Sequence, residues 1–535
     1  MSRSNFGSLT KSVLLILVFI GMIFLATGVS ALADGSAQNA GVTGNELQRA
    51  PINPLFIKYS QEKAAGLDTV SAQVTEDGHK LGLIPSPISR PDVRDIPISV
   101  SNTGGSEYTG AGTPLSTYTA TYDLRTVSKV SPVKDQGMFG TCWAQATFAS
   151  LESTLMPVTP APDFSEKNLA NFAGFVPDPA NGGGTMWMSA AALTRWNGPV
   201  AESSDPYPYP PATTTWWTTS PAFSSTKHVQ NVIFFPSHTT TGLVSTNNIK
   251  SVLTTKGAVY SSFFWKTSYY NPTYAAYYQP YNTAADPAGG GGHAVTIIGW
   301  NDNYPKANFN TAPAANGAWL VKNSWGTSWG NAGFFWISYY DKYFGSRYHA
   351  DAEAAGSTKD TAVFRGEPAT NYTKIYSYDK LGEVSDYNVG TPKTGSFANV
   401  FTTTSAGNIS AVGFYTTDMN VPVTIRIYKN PTVSLPGSGT PASQYYTTLA
   451  NMGYNTAELP VAKQVSLTKG QKFSVVITVT NPTNSFYIPI EENMDYYSSG
   501  VTSTTGQGYV KVGTVWSDLY TELPDSHICI KAYAK

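Results

Sequence analysis

The sequence has few cysteines, few charges and no long apolar run, and each absence excludes a class of protein. Two cysteines in 535 residues, Cys142 and Cys529, exclude a disulfide-built scaffold, and no Cys/His spacing of a zinc site occurs. Charged residues make up 13% and the net charge is -1, so the composition offers no basic surface for nucleic acid. No P-loop and no His-Glu-x-x-His motif is present, and we expect no metal and no cofactor.

The first 33 residues have the pattern of a secretory signal. Arg3 and Lys11 precede the apolar run 13–26, and Ala-Leu-Ala at 31–33 is a small-residue cleavage site. The run is shorter than the roughly 20 apolar residues that a membrane-spanning helix needs. We therefore expect a protein that is secreted or associated with the cell surface, whose signal is either cleaved or retained as an anchor.

In an exported protein most cysteines form disulfides, so an unpaired cysteine would suggest another role. Cys142 and Cys529 are 387 residues apart (529 − 142), in segments of different character, so we predict that they do not pair. The alternating strand pattern around Cys529 is typical of a small buried core residue. Cys142 is either another inert core residue or a reactive thiol.

Three segments follow the signal. Residues 34–115 lack sustained periodicity and are interrupted by prolines, which is typical of a pro-segment or an N-terminal arm. Residues 116–355 begin with helical patterns and continue with apolar strand runs, which predicts an α+β unit of two lobes. Residues 356–535 carry short alternating strands between turn residues, which predicts an all-β sandwich after a linker near 356–366.

Cys142 stands at the start of a predicted helix. Ala144, Phe148 and Leu151 recur with helical spacing after it, and Thr141 is the expected N-cap. The positive end of a helix lowers the pKa of a thiol and favours the nucleophilic thiolate.

Three polar residues complete the pattern that thiol catalysis needs. His293 begins a buried strand after four glycines, Asn323 follows another strand, and Gln136 lies six positions before the cysteine. An imidazole activates the thiol, an asparagine side chain orients the imidazole, and a side-chain amide donates to the oxyanion. Each signal alone is weak, but together they indicate nucleophilic catalysis by Cys142.

Three stretches resemble the papain-like cysteine peptidases (family C1, clan CA). They are YDLRTVSKVSPVKDQGMFGTCWAQATFASLES, GGHAVTIIGW and WLVKNSWGTSWGNAGFFWISYYD, which stand in the family's order within residues 118–345. The resemblance implies a two-lobed papain-like domain, a helical lobe beside a β-rich lobe. It implies that Gln136 is the oxyanion-hole residue, Cys142 the nucleophile, His293 the general acid/base, Asn323 its orienting partner and Trp325 the tryptophan that shields their contact.

The resemblance also implies residues that bind substrate. Gly182 and Gly183 resemble the cleft glycines that pair with the substrate backbone, with an uncertainty of one position because three glycines are consecutive. The small Gly292 beside the histidine, with Met186 and Trp187, predicts a roomy apolar subsite for the residue before the scissile one.

The chain departs from the family at two places. Phe139 stands where family members usually carry a disulfide-bonded cysteine, and residues 301–317 form an insertion that we expect to be a hairpin loop.

The final segment resembles the lectin-like domain of certain prokaryotic secreted C1 peptidases. AVGFYTTDMNVPVTIRIYKN and ICIKAYAK carry this likeness. It implies a fold more than a ligand, although cell-surface glycans are the expected partner of such a domain.

The sequence therefore predicts a secreted, monomeric cysteine endopeptidase that acts on proteins or peptides, with a C-terminal β domain for substrate or surface targeting. Two alternatives remain open. One is a non-catalytic adhesion or binding protein on a peptidase scaffold, and the other is a cysteine-dependent acyl transferase, which shares the same chemistry.

Overall fold

The structure is a computed structural model that describes residues 46–67, 74–76, 78–88, 118–208, 216, 223–235, 244–280, 290–344, 361–390, 392–482 and 485–535. The predicted signal at 1–33, much of 34–115 and the start of the predicted linker lie outside the described residues. All described residues fall within one compact unit, Gly44–Lys535. No helix among them is long and apolar enough to cross a membrane.

The helices begin at polar capping residues. Asn53, Ser165 and Thr185 each accept a hydrogen bond from a backbone N–H of the first turn that follows them. Thr141 occupies the N-cap position of the cysteine helix, as predicted, but its side chain makes no such bond. In the described residues the α-helices are α1 (Pro54–Ala64), α2 (Cys142–Leu155), α3 (Glu166–Phe172), α4 (Met186–Thr194), α5 (Val244–Thr255) and α6 (Leu519–Glu522).

The strands carry alternating or wholly apolar side chains, as the sequence predicts. In chain order through the described residues they are β1 (Gln48–Arg49), β2 (Thr121–Asp123), β3 (Lys227–Phe234), β4 (Val259–Trp265), β5 (Tyr270–Asn271), β6 (Ala276–Tyr277), β7 (Gly291–Asn301), β8 (Ala318–Lys322), β9 (Phe334–Ser338), β10 (Ala362–Pro368), β11 (Lys374–Tyr376), β12 (Ser385–Asn388), β13 (Thr394–Thr402), β14 (Gly407–Thr416), β15 (Val421–Lys429), β16 (Ser443–Leu449), β17 (Met452–Glu458), β18 (Val465–Leu467), β19 (Lys472–Thr480), β20 (Ile488–Glu492), β21 (Gly508–Val512), β22 (Val515–Asp518), β23 (Ser526–Ile528) and β24 (Ile530–Ala534).

These strands form three sheets in the described part of the chain. The largest has the order β11-β24-β14-β17-β3-β10-β4-β7-β8-β9-β6-β5, with β18 paired to β14 and β2 paired to β7. A second sheet has the order β16-β15-β19-β13-β21-β22, and a third the order β1-β12-β20-β23. Few helices and large sheets make the protein α+β, which confirms the predicted fold class.

The C-terminal region is a sandwich of two sheets. Phe397, Ile425 and Ile477 of the second sheet share one buried core with Phe414 and Ile530 of the largest sheet. This core is the interface that a β-sandwich requires, and it confirms the prediction for the C-terminal segment. The segment also contains the short helix α6, which the sequence analysis missed.

The largest sheet runs without a break from the N-terminal unit into the C-terminal unit. Met452, Gly453 and Tyr454 of β17 pair antiparallel with Phe234, Ile233 and Val232 of β3. The segment 362–366, predicted as linker, is instead part of β10, which pairs with β3 along its whole length and with β4 at Ala362. A shared sheet fixes the two units to each other through backbone hydrogen bonds.

The two cysteines are unpaired, as predicted, and both are buried. The inserted residues 301–317 connect the antiparallel strands β7 and β8, so this prediction of a hairpin loop is also confirmed.

Candidate active site

Cys142 is the first residue of α2, a helix that is buried along most of its length. At this position the backbone N–H has no acceptor within the helix, and the side chain experiences the positive end of the helix dipole. The fold therefore supplies both an N–H donor and a field that stabilises a thiolate.

His293 is held in one orientation by an asparagine and a tryptophan. Its Nε2 atom lies 2.8 Å from Asn323 Oδ1, an oxygen that only accepts, so Nε2 carries the proton. Asn323 Oδ1 also accepts from the Ser324 N–H at 2.8 Å. The Trp325 indole stacks on the imidazole with ring centroids 4.6 Å apart and is fully buried. The other ring nitrogen, Nδ1, has no hydrogen-bond partner in the described part of the protein.

Gln136 points its side-chain amide into the same cleft. Ser324 Oγ donates to Gln136 Oε1 at 2.7 Å, and the Gln136 backbone N–H donates to Ser324 O at 2.8 Å. These bonds leave the Nε2 group to donate to the carbonyl oxygens of Phe139 at 2.8 Å and Lys80 at 2.9 Å. Gln136, the predicted oxyanion-hole donor, thus donates to carbonyl oxygens of the chain itself.

Phe139 replaces a disulfide partner with aromatic packing. It is buried and packs edge-to-face against Trp216 and Tyr207, with centroids 4.9 Å and 6.1 Å away. Tyr207 in turn hydrogen bonds to Thr141 Oγ1 at 2.6 Å. Ring contacts and a hydroxyl pair therefore help to hold the loop before the nucleophile, which the absence of a cysteine at 139 could not by itself predict.

Residues 78–88, here called the cleft segment, lie across the site. Gly184 N–H donates to Gly82 O at 2.9 Å, and Ile84 N–H donates to Gly184 O at 3.2 Å. This pattern is a parallel bridge centred on Leu83 and Gly184. The cleft segment therefore binds as a single added strand, through its backbone.

The other wall of the cleft holds the same segment. Leu83 N–H donates to Gly292 O at 3.2 Å, and a side chain on Gly292 would lie 2.7 Å from Leu83 O. Leu81, Leu83 and Ile84 are each at most 2% exposed. The cleft segment is thus hydrogen bonded through its backbone to Gly184 on one wall of the cleft and to Gly292 on the other, and its apolar side chains are buried.

The cleft segment influences the nucleophile through its backbone. The backbone of Gly82 and that of Ala294, the residue after the histidine, both act to lower the pKa of the Cys142 thiol. Gly82 packs so closely that a Cβ at this position would lie 2.2 Å from Gly140 O. Gly82 is therefore packed tightly against the loop that precedes the nucleophile.

Burial controls the protonation of the pair. Desolvation raises the pKa of the Cys142 thiol to about 11, against backbone hydrogen bonds that lower it. Desolvation lowers the pKa of His293 to about 4, against the bond to Asn323 that raises it. With the cleft segment in place the pair at neutral pH is a neutral thiol beside a neutral imidazole.

His79 of the cleft segment adds to this effect. The His79 imidazole stacks on the Trp325 indole, with ring centroids 4.8 Å apart and planes at 6° to each other. Its charge also lowers the pKa of His293. Trp325 therefore has one imidazole stacked at 4.6 Å and another at 4.8 Å.

The predicted cleft glycines lie at the site with a shift in register. Gly184, which was not predicted, makes the backbone bonds to the segment. Gly183 is adjacent, and a Cβ there would lie 2.7 Å from Gly82 O. Gly182 faces the turn at 177–178 instead. Because the three glycines are consecutive, the sequence did not indicate which of them would form the backbone bonds.

The two predicted pocket residues from α4 are interior. Met186 is fully buried, and Trp187 packs against Phe234 of β3 with centroids 4.4 Å apart. Gly292, the third predicted subsite residue, does line the cleft. Ser324 and Tyr207, which hold Gln136 and Thr141, were missed because their roles depend on distant contacts.

The described residues offer no metal centre. No group of three or more His, Cys, Asp or Glu side chains among them is arranged to hold a metal ion.

Family models match both parts of the chain. Residues 118–353 match the papain family cysteine protease, and residues 375–534 match the lectin like domain. Among curated relatives, digestive cysteine proteinase 2 of Homarus americanus is 30% identical over 40% of this chain and 60% of its own. Cysteine proteinase 2 of Dictyostelium discoideum is 27% identical over 42% of this chain and 64% of its own. The chain thus spans about three fifths of the length of these relatives.

Solved structures show the same arrangement of domains. The cysteine protease and lectin-like domains of Cwp84, a surface layer associated protein of Clostridium difficile, superpose with a TM-score of 0.69 at 22% identity. This likeness covers 93% of the present chain and 100% of the other. A second structure, of a Cwp84 variant after propeptide cleavage, gives a TM-score of 0.63 at 24% identity, over 78% and 99% of the two chains. At these identities the likeness shows the fold.

The sequence matches and the fold together show that residues 118–353 are similar to the papain-like cysteine peptidases. In particular, the chain contains a papain-family cysteine protease domain followed by a lectin-like domain.

Proposed function

We propose that the protein is a secreted cysteine endopeptidase that is held latent by its own cleft segment. The observation that carries the proposal is the convergence of Cys142, His293, Asn323 and Gln136 in one cleft, with an N–H, an imidazole and an amide in the roles that acyl transfer through a thiol requires.

The first step forms an acyl-enzyme. The Cys142 thiol passes its proton to His293 Nδ1, and the resulting thiolate attacks the carbonyl carbon of the scissile peptide, forming an S–C bond and placing negative charge on the oxygen. Gln136 Nε2 and the Cys142 backbone N–H donate to that oxygen. When the tetrahedral intermediate collapses, the C–N bond breaks, and the proton on His293 Nδ1 passes to the leaving amine.

The second step restores the thiol. Water loses a proton to His293 Nδ1 as its oxygen attacks the thioester carbon. The S–C bond then breaks, and the sulfur leaves with the negative charge that the imidazolium stabilises. Nδ1 serves both steps because Nε2 is committed to Asn323. Trp325 keeps water away from that bond, which holds the ring in one tautomer.

Latency follows from what the cleft segment occupies. Its Lys80 O accepts the hydrogen bond from Gln136 Nε2, the predicted oxyanion donor, and the burial of Cys142 keeps the thiol neutral. Its parallel bridge to Gly184 occupies backbone groups that a substrate would otherwise pair with. We therefore assign residues 34–115 as a pro-segment. The Cwp84 structure described as after propeptide cleavage supports this assignment by analogy.

Secretion and surface targeting belong to the same proposal. The signal pattern at 1–33 and the surface-layer association of Cwp84 both support an extracellular location. The lectin-like domain supports recognition of surface glycans as its role.

The test is hydrolysis of an unfolded protein substrate by the processed enzyme. We expect Cys142→Ala to abolish turnover without a change in the circular dichroism spectrum, and Cys142→Ser to be nearly inactive, because a hydroxyl is not ionised at neutral pH. Cys529→Ala is the matched control, since it removes the other buried thiol and leaves the cleft intact. Turnover by Cys142→Ala equal to that of the unchanged enzyme would refute the proposal.

The same assay separates the two alternatives. A binding protein on a peptidase scaffold gives no hydrolysis in any variant. An acyl transferase gives amide products in proportion to an added amine, whereas a peptidase gives free carboxyl termini.

A further inference from the structure

The N-terminal region contacts the lectin-like domain as well as the cleft. Strand β1 pairs antiparallel with β12, with Gln48 opposite Asn388 and Arg49 opposite Tyr387. The next amide, on Ala50, donates to Asp386 O at 2.7 Å. Residues 48–50 thus extend the sheet β12-β20-β23 by one edge strand. Backbone pairing of this kind is how extended peptides bind to an exposed sheet edge.

A charged contact fixes the register of this strand. Arg49 donates to Glu492 Oε1 through both Nε, at 3.0 Å, and Nη2. The guanidinium also lies over the Tyr387 ring at 5.8 Å, and the Tyr387 hydroxyl donates to Glu492 Oε2 at 3.0 Å. The Glu492 side chain is 8% exposed and that of Arg49 is 33% exposed. A forked donor on a largely buried carboxylate is a specific recognition element.

The strand is joined to the cleft segment through the start of α1. Asn53 N–H donates to Pro87 O at 3.0 Å, and Asn53 Nδ2 donates to Ser86 O at 2.8 Å. Phe56 of α1 then packs edge-to-face on Tyr497, which follows β20, with centroids 5.6 Å apart. The end of the cleft segment is therefore tied to the same short stretch of chain that pairs with the lectin-like domain.

We infer that the lectin-like domain is the docking surface for the inhibitory segment. The surface consists of the β12 edge, Glu492 and Tyr387, and the partner it fits is an extended strand that carries a guanidinium, here residues 48–50 of the same chain. Because β17 and β3 join the two domains in one sheet, the surface stands at a fixed place relative to the cleft. Removal of the Arg49 contact releases the cleft segment from the active site. This inference rests on the proposed latency and assigns a second role to the C-terminal domain.

The test compares full-length variants by the rate at which iodoacetamide alkylates Cys142 at neutral pH. Arg49→Ala and Glu492→Gln each remove one partner of the contact, and we expect each to raise the rate about tenfold. Asp495→Asn is the matched control, because it neutralises an exposed carboxylate three residues from Glu492, and we expect no change. The charge swap Arg49→Glu with Glu492→Arg restores slow alkylation.

A second measurement keeps the outcome independent of catalysis and of folding. In the Cys142→Ala background we expect hydrogen exchange at the Leu83 amide to accelerate by a similar factor in Arg49→Ala. Arg49 belongs to the N-terminal strand, so its replacement leaves the lectin-like core intact. Unchanged exchange at Leu83 in Arg49→Ala would overturn the inference, even if Glu492→Gln had an effect through domain stability. Faster exchange without any hydrolysis by the processed enzyme would uphold the docking surface and overturn the proposed function alone.

Discussion

Replacing Gly82 by alanine should abolish latency, because the added methyl group has no space. Its Cβ would lie 2.2 Å from Gly140 O and 2.6 Å from Gly140 Cα, both backbone atoms that no rotamer change can move. The segment must shift, and the bonds from Gly184 N–H to Gly82 O and from Leu83 N–H to Gly292 O are then lost. Two such bonds contribute about 1–3 kcal/mol together. The equilibrium constant for opening of the cleft segment is then raised about 5- to 150-fold, before any loss of Leu83 burial is counted.

The assay is again alkylation of Cys142 by iodoacetamide in the full-length chain, followed by mass spectrometry of the modified peptide. Gly82→Ala should react at least about fivefold faster than the unchanged chain. Gly78→Ala is the control from the same segment: it adds a methyl group with nothing within 4 Å and costs only the strain of a φ of +89°. Equal alkylation rates for Gly82→Ala and the unchanged chain would refute the steric argument. A larger rate increase for Gly78→Ala than for Gly82→Ala would show that latency depends on the turn at Gly78.

Three further predictions concern acidity, the oxyanion and the shared sheet. In the closed state, with the cleft segment in place, the pKa of His293 is about 4, against an ordinary value of 6.5. The closed state therefore favours neutral His293. This stabilises the closed state fully above pH 6.5, and the stabilisation is lost as the pH falls toward 4. Hydrogen-exchange protection at Leu83, corrected for intrinsic rate, should fall about 30-fold between about pH 7.5 and about pH 5, while β19 stays protected; equal protection at both values would contradict this. Gln136→Ala should lower kcat of the processed enzyme about 100-fold with little change in KM. A rise in KM with unchanged kcat would instead indicate that Gln136 only binds substrate. Deleting residues 375–534 should expose the β3 edge and yield aggregated protein by size-exclusion chromatography; a soluble, monomeric product would show that β17 is dispensable.

The catalytic constellation is predictable from sequence because each member is positioned by local structure. Helical spacing after Cys142 places it at a helix start, and the apolar runs beside His293 and Asn323 place the histidine on β7 and the asparagine directly after the neighbouring β8. Burial periodicity and turn residues are short-range signals, so a single sequence contains them.

What the sequence did not predict depends on contacts between distant segments. The pairing of β17 with β3 joins residues more than 200 positions apart, and nothing in either strand's alternation specifies the partner. The cleft segment carries no periodic pattern because it binds through its backbone. The choice of Gly184 over Gly182 likewise depends on strand register in the folded cleft.

The central claim is that Cys142 is a catalytic thiolate that the chain's own cleft segment keeps neutral. It is tested most directly by intact mass measurement after treatment with a peptidyl epoxide, before and after proteolytic removal of the segment. The account predicts one adduct, mapped to Cys142, on the processed enzyme and almost none on the full-length chain at the same time point. An adduct formed equally fast on both forms, or none on the processed enzyme, would contradict it.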